Sequence, residues 1–133
     1  MLLIFNQKMP IPPIVFPEKN IASIQIPVRI ADINYGNHVG NDAFVSILHE
    51  ARVQWLTQAG FSELNAGGVG LIMKDLFVSF KKEAFYGDQF TIELAVQNIA
   101  GVSFELMYRI TTIREEKNIL IALAFTTMVC YDY

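Results

Sequence analysis

Asp32, Asn34, Asn37, His38, Asn41 and Asp42 crowd into one short stretch of the 133-residue chain, and Glu50 follows soon after. Carboxylates and an imidazole can take a proton from water. If a helix starts just after them, its unpaired amides can polarise a carbonyl and hold a developing oxyanion. Together these groups suit attack of water on an acyl carbon. The competing explanation is an ordinary capped loop. Asp32 then caps the loop or pairs with Arg29, Asn34 and Asn41 serve as loop and N-cap residues, and His38 bonds backbone groups. Glu50 then pairs with Arg52, Lys74 or another exposed charge, and His49 is solvated. The chain's two histidines have no ligand partners at matching spacing, so no metal site is expected.

The elements around this stretch follow from hydrophobic period. Ile24, Ile26, Val28 and Ile30 alternate with Ser23, Gln25, Pro27 and Arg29, which describes a strand with one buried face. Asp42 to Ala59 shifts to helical period, with Phe44, Ile47, Leu48, Ala51 and Trp55 on one stripe. Asn41 is the expected N-cap, Asp42 suits the positive helix start, and Gly60 is the expected stop. After about Gly70 the chain alternates again. Faces led by Leu76, by Phe90, by Val102 and by Ile121 to Tyr131 define four more strands, joined by turns at Tyr86–Asp88, Ala100–Gly101 and Arg114–Asn118. Short turns imply antiparallel meander pairing. The expected class is α+β, one long helix against an antiparallel sheet of about five strands.

Composition sets the outer limits. Of the residues, 53% are apolar and only 17% charged, with a net charge of −3. That is too apolar for disorder over most of the chain. Ten Lys and Arg against thirteen Asp and Glu give no footprint for a phosphate backbone, so nucleic acid is not an expected partner. No apolar run reaches the roughly 18 residues of a membrane span. Cys130 is the single cysteine and reads as strand filler. Residues 1–20 hold four of the five prolines and read as an extended arm, leaving residues 21–133 as a single domain. The first five residues are too short and lack the basic flank for a signal peptide, so the expectation is a cytoplasmic protein. The apolar surplus suggests an oligomer interface, a lipid-like ligand, or both.

Three segments carry a family resemblance: Asp32-Ile-Asn-Tyr-Gly-Asn-His-Val-Gly-Asn-Asp-Ala-Phe44, then His49-Glu-Ala-Arg52, then Val78-Ser-Phe-Lys-Lys-Glu-Ala-Phe-Tyr-Gly-Asp88. In register with the strand–helix–strand order, they resemble the hotdog-fold thioesterases of the 4-hydroxybenzoyl-CoA thioesterase type over roughly residues 22–131. The resemblance implies a hotdog fold, with the sheet wrapped around the helix. It also implies hydrolysis of an acyl-CoA or acyl carrier protein thioester at the loop before the helix, and a homodimer or homotetramer with the site at a subunit interface. The monomer is then expected to be inactive. No metal or redox cofactor is implied.

Carried over residue by residue, His38, Val39 and Asn41 match the family's His-Val-x-Asn. Asn34 stands where the family has its catalytic aspartate, and an amide cannot serve as a base or nucleophile. Asp32 matches the first acid of the family's Asp-x-Asp pair, and Glu50 is the alternative, since some hotdog thioesterases use a helix glutamate. The implied roles are therefore Asp32 or Glu50 activating water and His38 and Asn34 orienting water or substrate. Gly40, Asn41 and Asp42 at the helix start meet the thioester oxygen. Lys81 and Lys82, with Arg109, are available to CoA phosphates. The substitution at Asn34 also supports a non-catalytic thioester-binding protein, and a hydratase on the same fold is a third possibility.

Overall fold

Alternation of apolar and polar residues builds the first element, and a bend ends it early. Strand β1 covers Ala22–Pro27 of a computed structural model that describes residues 13–132. Ile24, Ile26 and Val28 are buried, as expected. Ile30 is not: a single 3₁₀ turn over Ile30–Asp32 swings it out to 71% exposure. Of the proline-rich arm, residues 1–12 lie outside the described residues. Residues 13–20 form no helix or strand. The Phe16 ring lies 4.6 Å from the Arg109 guanidinium, and Asn20 Nδ2 donates to Glu93.

Helix α1 spans Asn41–Gln58. Its N-cap is Gly40, with no side-chain hydrogen bond, and Asn41 is already the first helical residue, which corrects the expected Asn41 cap. Gly60 supplies the left-handed stop, with φ +83°. Phe44, Ile47, Leu48 and Ala51 are buried as the stripe requires. Farther along, Arg52 and Leu56 are buried, whereas Trp55 is half-buried.

Four strands follow: β2 (Gly70–Phe80), β3 (Gln89–Ala100), β4 (Ser103–Arg114) and β5 (Lys117–Tyr131). They form one antiparallel sheet with β1 in the order β1-β3-β4-β5-β2. The meander expected from short turns holds for β3-β4-β5. It fails for β2 and β3, which lie at separated places in the sheet. The turn at residues 83–88 therefore carries the chain from the β2 edge back to the other half of the sheet, and β1 and β2 become the edges.

The sheet face toward the helix is also not the one the β5 alternation suggests. Ala122, Ala124, Thr126 and Met128 are the deeply buried set, whereas Leu123 and Phe125 are half-buried. Small side chains leave room for the helix. A bulge opposite Ile110 and Thr111 lets Ile121 be buried as well. On β4, Leu106, Tyr108 and Ile110 are buried as expected, but Val102 sits at the turn before the strand, 66% exposed.

Among the described residues, Arg52 is the one buried cation, 5% exposed. Its Nε donates to Glu63 at 2.9 Å and its Nη1 to the Tyr108 hydroxyl at 3.2 Å, which in turn meets Thr126 Oγ1 at 2.9 Å. Burial alone would lower its pKa, but Tyr108 and Glu63 outweigh that and hold it above the ordinary arginine value. Removing one partner of a buried pair leaves uncompensated polarity. Arg52→Leu is therefore expected to destabilise the fold by about 3 kcal/mol, read as a lower denaturant midpoint with unchanged slope.

Candidate functional site

The loop before α1 is a compact hairpin-like turn. Ile33 and Val39 form a β-bridge, Asn34 N–H donates to His38 O, and Asn37, at φ +63°, donates to Asn34 O. Asn34 Oδ1 accepts the Gly36 N–H at 2.9 Å. A side chain at position 36 would come within 3.1 Å of His38 Nε2 and 3.2 Å of Asn34 Oδ1, so glycine here lets those two groups close up. A Cβ at Gly40 would lie 3.5 Å from Asn34 Cβ and 2.5 Å from Asp42 Oδ1. The Asn34 carboxamide therefore sits against the helix start, with His38 on its other side.

One hydrogen bond closes this loop on itself and another fastens it to the turn after β2. Gly40 N–H donates to Asp32 O, and Val39 N–H donates to Ala84 O at 2.8 Å. Among the described residues, the amides of Asn41, Asp42 and Ala43 have no acceptor, as the first turn of a helix dictates. They form the positive end of the helix dipole.

A cavity of about 230 Å³ opens at this helix start, lined by His38, Asn41, Lys81, Lys82, Glu83 and the rings of Phe44 and Phe80, among others. The two rings meet edge to face at 5.1 Å and give the cavity an apolar floor. Lys81 and Lys82 are placed by the β5 bulge, where Ile121 O accepts both of their backbone N–H groups. Glu83 was not a sequence candidate. The only signal for it was its position beside the lysines, and the turn after β2 puts it in the cavity wall.

Asp32 and Glu50 go elsewhere. Asp32 is 5% exposed, its Oδ2 accepts the Arg29 N–H at 2.8 Å, and its Oδ1 takes the Arg29 guanidinium at 3.3 Å. The local-cap alternative for Asp32 is thus what the geometry displays. Glu50 accepts a hydrogen bond from Gln54 and lines a separate groove of about 340 Å³ with Pro27, Arg29 and Ser46, on the β1 side of the helix. His38 Nδ1 lies 3.3 Å from Val39 O, the backbone contact of the capped-loop alternative, and its ring borders the cavity. Among the described residues no group of three or more His, Cys, Asp or Glu could hold a metal ion, and no helix is long and apolar enough to cross a membrane.

The wall carrying Glu83 and Ala84 is held by Arg114. Its Nη2 donates to Glu83 O and its Nε to Asp88 at 3.2 Å, and its guanidinium lies 4.9 Å from the Phe85 ring. Burial alone would raise the Asp88 carboxyl. Hydrogen bonds from Arg114 and from Phe85 N–H, with the Arg114 charge, outweigh that and hold it below the ordinary carboxylate range. A carboxyl depressed in the folded state stabilises the fold at neutral pH and loses that contribution as the pH falls below about 4. Arg114→Met is therefore expected to be about 1 kcal/mol less stable than the parent at pH 7. The gap should close on acidification through about pH 4 to below the folded-state value, and urea melts across that range test this.

Comparison with known proteins bears on the family and the fold. Residues 28–133 match the sequence model described as the Thioesterase-like superfamily. No curated protein sequence matches. Solved structures do: a 1,4-dihydroxy-2-naphthoyl-CoA thioesterase from Synechocystis superposes with a TM-score of 0.72 at 25% identity, covering 83% of this chain and 81% of that one. The probable thioesterase YbaW from Escherichia coli gives 0.67 at 26%, covering 83% and 82%. An aspartate-to-asparagine mutant of 4-hydroxybenzoyl-CoA thioesterase, in complex with 4-hydroxybenzoyl-CoA, gives 0.74 at 19%, covering 84% of each. The expected hotdog fold is the fold observed.

Proposed function

From the chain's membership of the Thioesterase-like superfamily, we propose that it hydrolyses an acyl thioester, acyl-CoA or the acyl carrier protein equivalent, at the cavity beside the start of α1. The observation that carries this reading is the set of unpaired amides of Asn41, Asp42 and Ala43 next to His38 and an apolar floor. Those amides bind the thioester oxygen as it gains charge. His38 and Asn34 orient substrate or water. Lys81 and Lys82 attract the phosphates of the CoA arm, and Phe44 and Phe80 pack the nearer part of the acyl group. A cytoplasmic location belongs to the same proposal.

The working unit is a dimer through the β2 edge. One side of β2 is unpaired, and Ile72 and Met73 on it are 49% and 40% exposed. A long apolar edge of this kind is a template for another strand. Antiparallel pairing of two β2 strands about a two-fold axis sets the two α1 helices side by side, running in opposite directions. Each helix start then faces its partner's helix across a shared groove.

The test is release of free thiol from a panel of short-chain, long-chain and aromatic acyl-CoAs by the purified chain. Thiol release supports hydrolysis. Tight binding of the panel without thiol release supports the second reading, a thioester-binding protein, which Asn34 and the locally bonded Asp32 favour. Hydration of an enoyl-CoA without thiol release would favour the hydratase.

A further inference from the structure

With Asn34 an amide and Asp32 tied to Arg29, a hydrolytic site here needs a proton acceptor from elsewhere. A cavity of about 290 Å³ lies on the β2 side of α1, lined by His49, Arg52 and Glu63 together with Val45, Met73 and Leu76. His49 Nε2 is 3.2 Å from Glu63 Oε1, the same oxygen that accepts the Arg52 Nε–H at 2.9 Å. Glu63 is itself fixed, since its backbone carbonyl accepts the Leu71 N–H at the start of β2. Arg52 therefore holds Glu63, and Glu63 holds His49 with Nε2 as the donor nitrogen. Nδ1 is left as an acceptor with no partner among the described residues. A base oriented by a carboxylate, at the wall of a partly apolar cavity, is the arrangement that activates a nucleophile.

We propose that His49, held by Glu63 and Arg52, is the general base of the hydrolysis, acting on a thioester whose carbonyl is held by the partner protomer's helix start. The proposal rests on the thioesterase reading above. Its own helix start is the wrong place for the carbonyl: eight residues of helix separate Asn41 from His49, about 12 Å. Across the β2 edge the geometry changes, because the cavity opens on the side of the helix that pairing would turn toward the partner. Glu50, the next residue, points to the β1 side and borders the other groove. The charged groups facing His49 are Glu63 from the loop after α1 and Arg52 from α1 itself; β2 and β5 contribute Met73, Leu76 and Thr126, which do not titrate.

In the step itself, His49 Nδ1 takes a proton from water as the water oxygen bonds to the acyl carbon. The tetrahedral intermediate then collapses and the carbon–sulfur bond breaks. The imidazolium returns its proton to the leaving thiolate. The products are the free acid and the thiol, and the imidazole is regenerated.

The test uses the full-length chain and the acyl-CoA that the wild type hydrolyses fastest. His49→Ala is expected to lower kcat by roughly 10²–10³-fold with KM little changed. Added imidazole, which fits the space left by the ring, is expected to restore part of the rate. Glu63→Gln keeps an acceptor but not the charge and is expected to fall between the two. Retention of kcat within about threefold in a natively folded His49→Ala, or a loss that imidazole does not rescue, overturns the base role and leaves the hydrolytic reading standing. Absence of thiol release by the wild type overturns hydrolysis, and the base role with it. A separate measurement places the residue: phenacyl-CoA, a ketone that cannot be hydrolysed, is expected to shield His49 from diethyl pyrocarbonate in peptide mass spectra. Binding of phenacyl-CoA without shielding would overturn the location.

Discussion

In a His49→Ala background, replacing Asn34 with aspartate is expected to raise acyl-CoA turnover by roughly 10²-fold, the usual worth of a positioned proton acceptor. The change is isosteric. Asn34 Oδ1 already accepts the Gly36 N–H at 2.9 Å, and an aspartate oxygen would accept the same bond and preserve the turn. What changes is the other atom of the side chain, from an amide nitrogen that donates to an oxygen that can take a proton. That nitrogen lies 3.7 Å from where a Cβ at Gly40, the N-cap of α1, would stand. A carboxylate there is stabilised by the helix dipole and remains ionised at neutral pH. Steady-state kinetics of the Asn34→Asp, His49→Ala double variant beside His49→Ala test this. An unchanged rate would mean that position 34 does not face the reacting carbonyl. Beside an intact His49 the gain is expected to be much smaller, because two bases offer parallel routes whose rates add rather than multiply.

The second large effect concerns the β2 edge. Lysines at both Ile72 and Met73 are expected to convert the proposed dimer to a monomer and to lower activity by at least 10²-fold, while the fold persists. Both side chains are substantially exposed within one chain, so charging them disturbs little of its own core. Across a two-fold axis the same lysines face their copies, and like charges on paired strands repel. Sedimentation velocity gives the mass and thiol release gives the rate. A dimer that survives the double substitution would move the interface off β2. A fully active monomer would show that each chain holds a whole site, which the separation of His38, in the loop before α1, from His49, two turns into α1, argues against.

Much of this chain was readable in one dimension, for a definite reason. Burial on one face writes a period into the sequence, and Ile24, Ile26 and Val28 or Phe90, Ile92 and Leu94 could only be strands with a dry side. Gly60 could be assigned as the helix stop because a left-handed φ favours glycine. Errors arose where a local signal depended on a distant neighbour. Asn41 has cap chemistry, yet the backbone path set by the Gly40–Asp32 and Val39–Ala84 hydrogen bonds starts the helix one residue sooner. On β5 both faces are apolar enough to be core, and only the approach of α1 selects Ala122 and Ala124 over Leu123 and Phe125. The pairing of β2 with β5 rather than β3 has the same origin, since turn length is local and edge position is not.

The sequence by itself determined the order of elements, the one long helix and the polar loop before it, because each depends on residues within a few positions of one another. Tertiary structure decided which of those polar groups are available for chemistry. Asp32 and Glu50 are equally good carboxylates on paper. Folding ties the first to Arg29 and turns the second to the β1 side, while it brings Glu83 into the wall beside His38 and Glu63 to His49. A side chain's reactivity depends on what lies within a few ångströms of it, and those neighbours come from segments far along the chain.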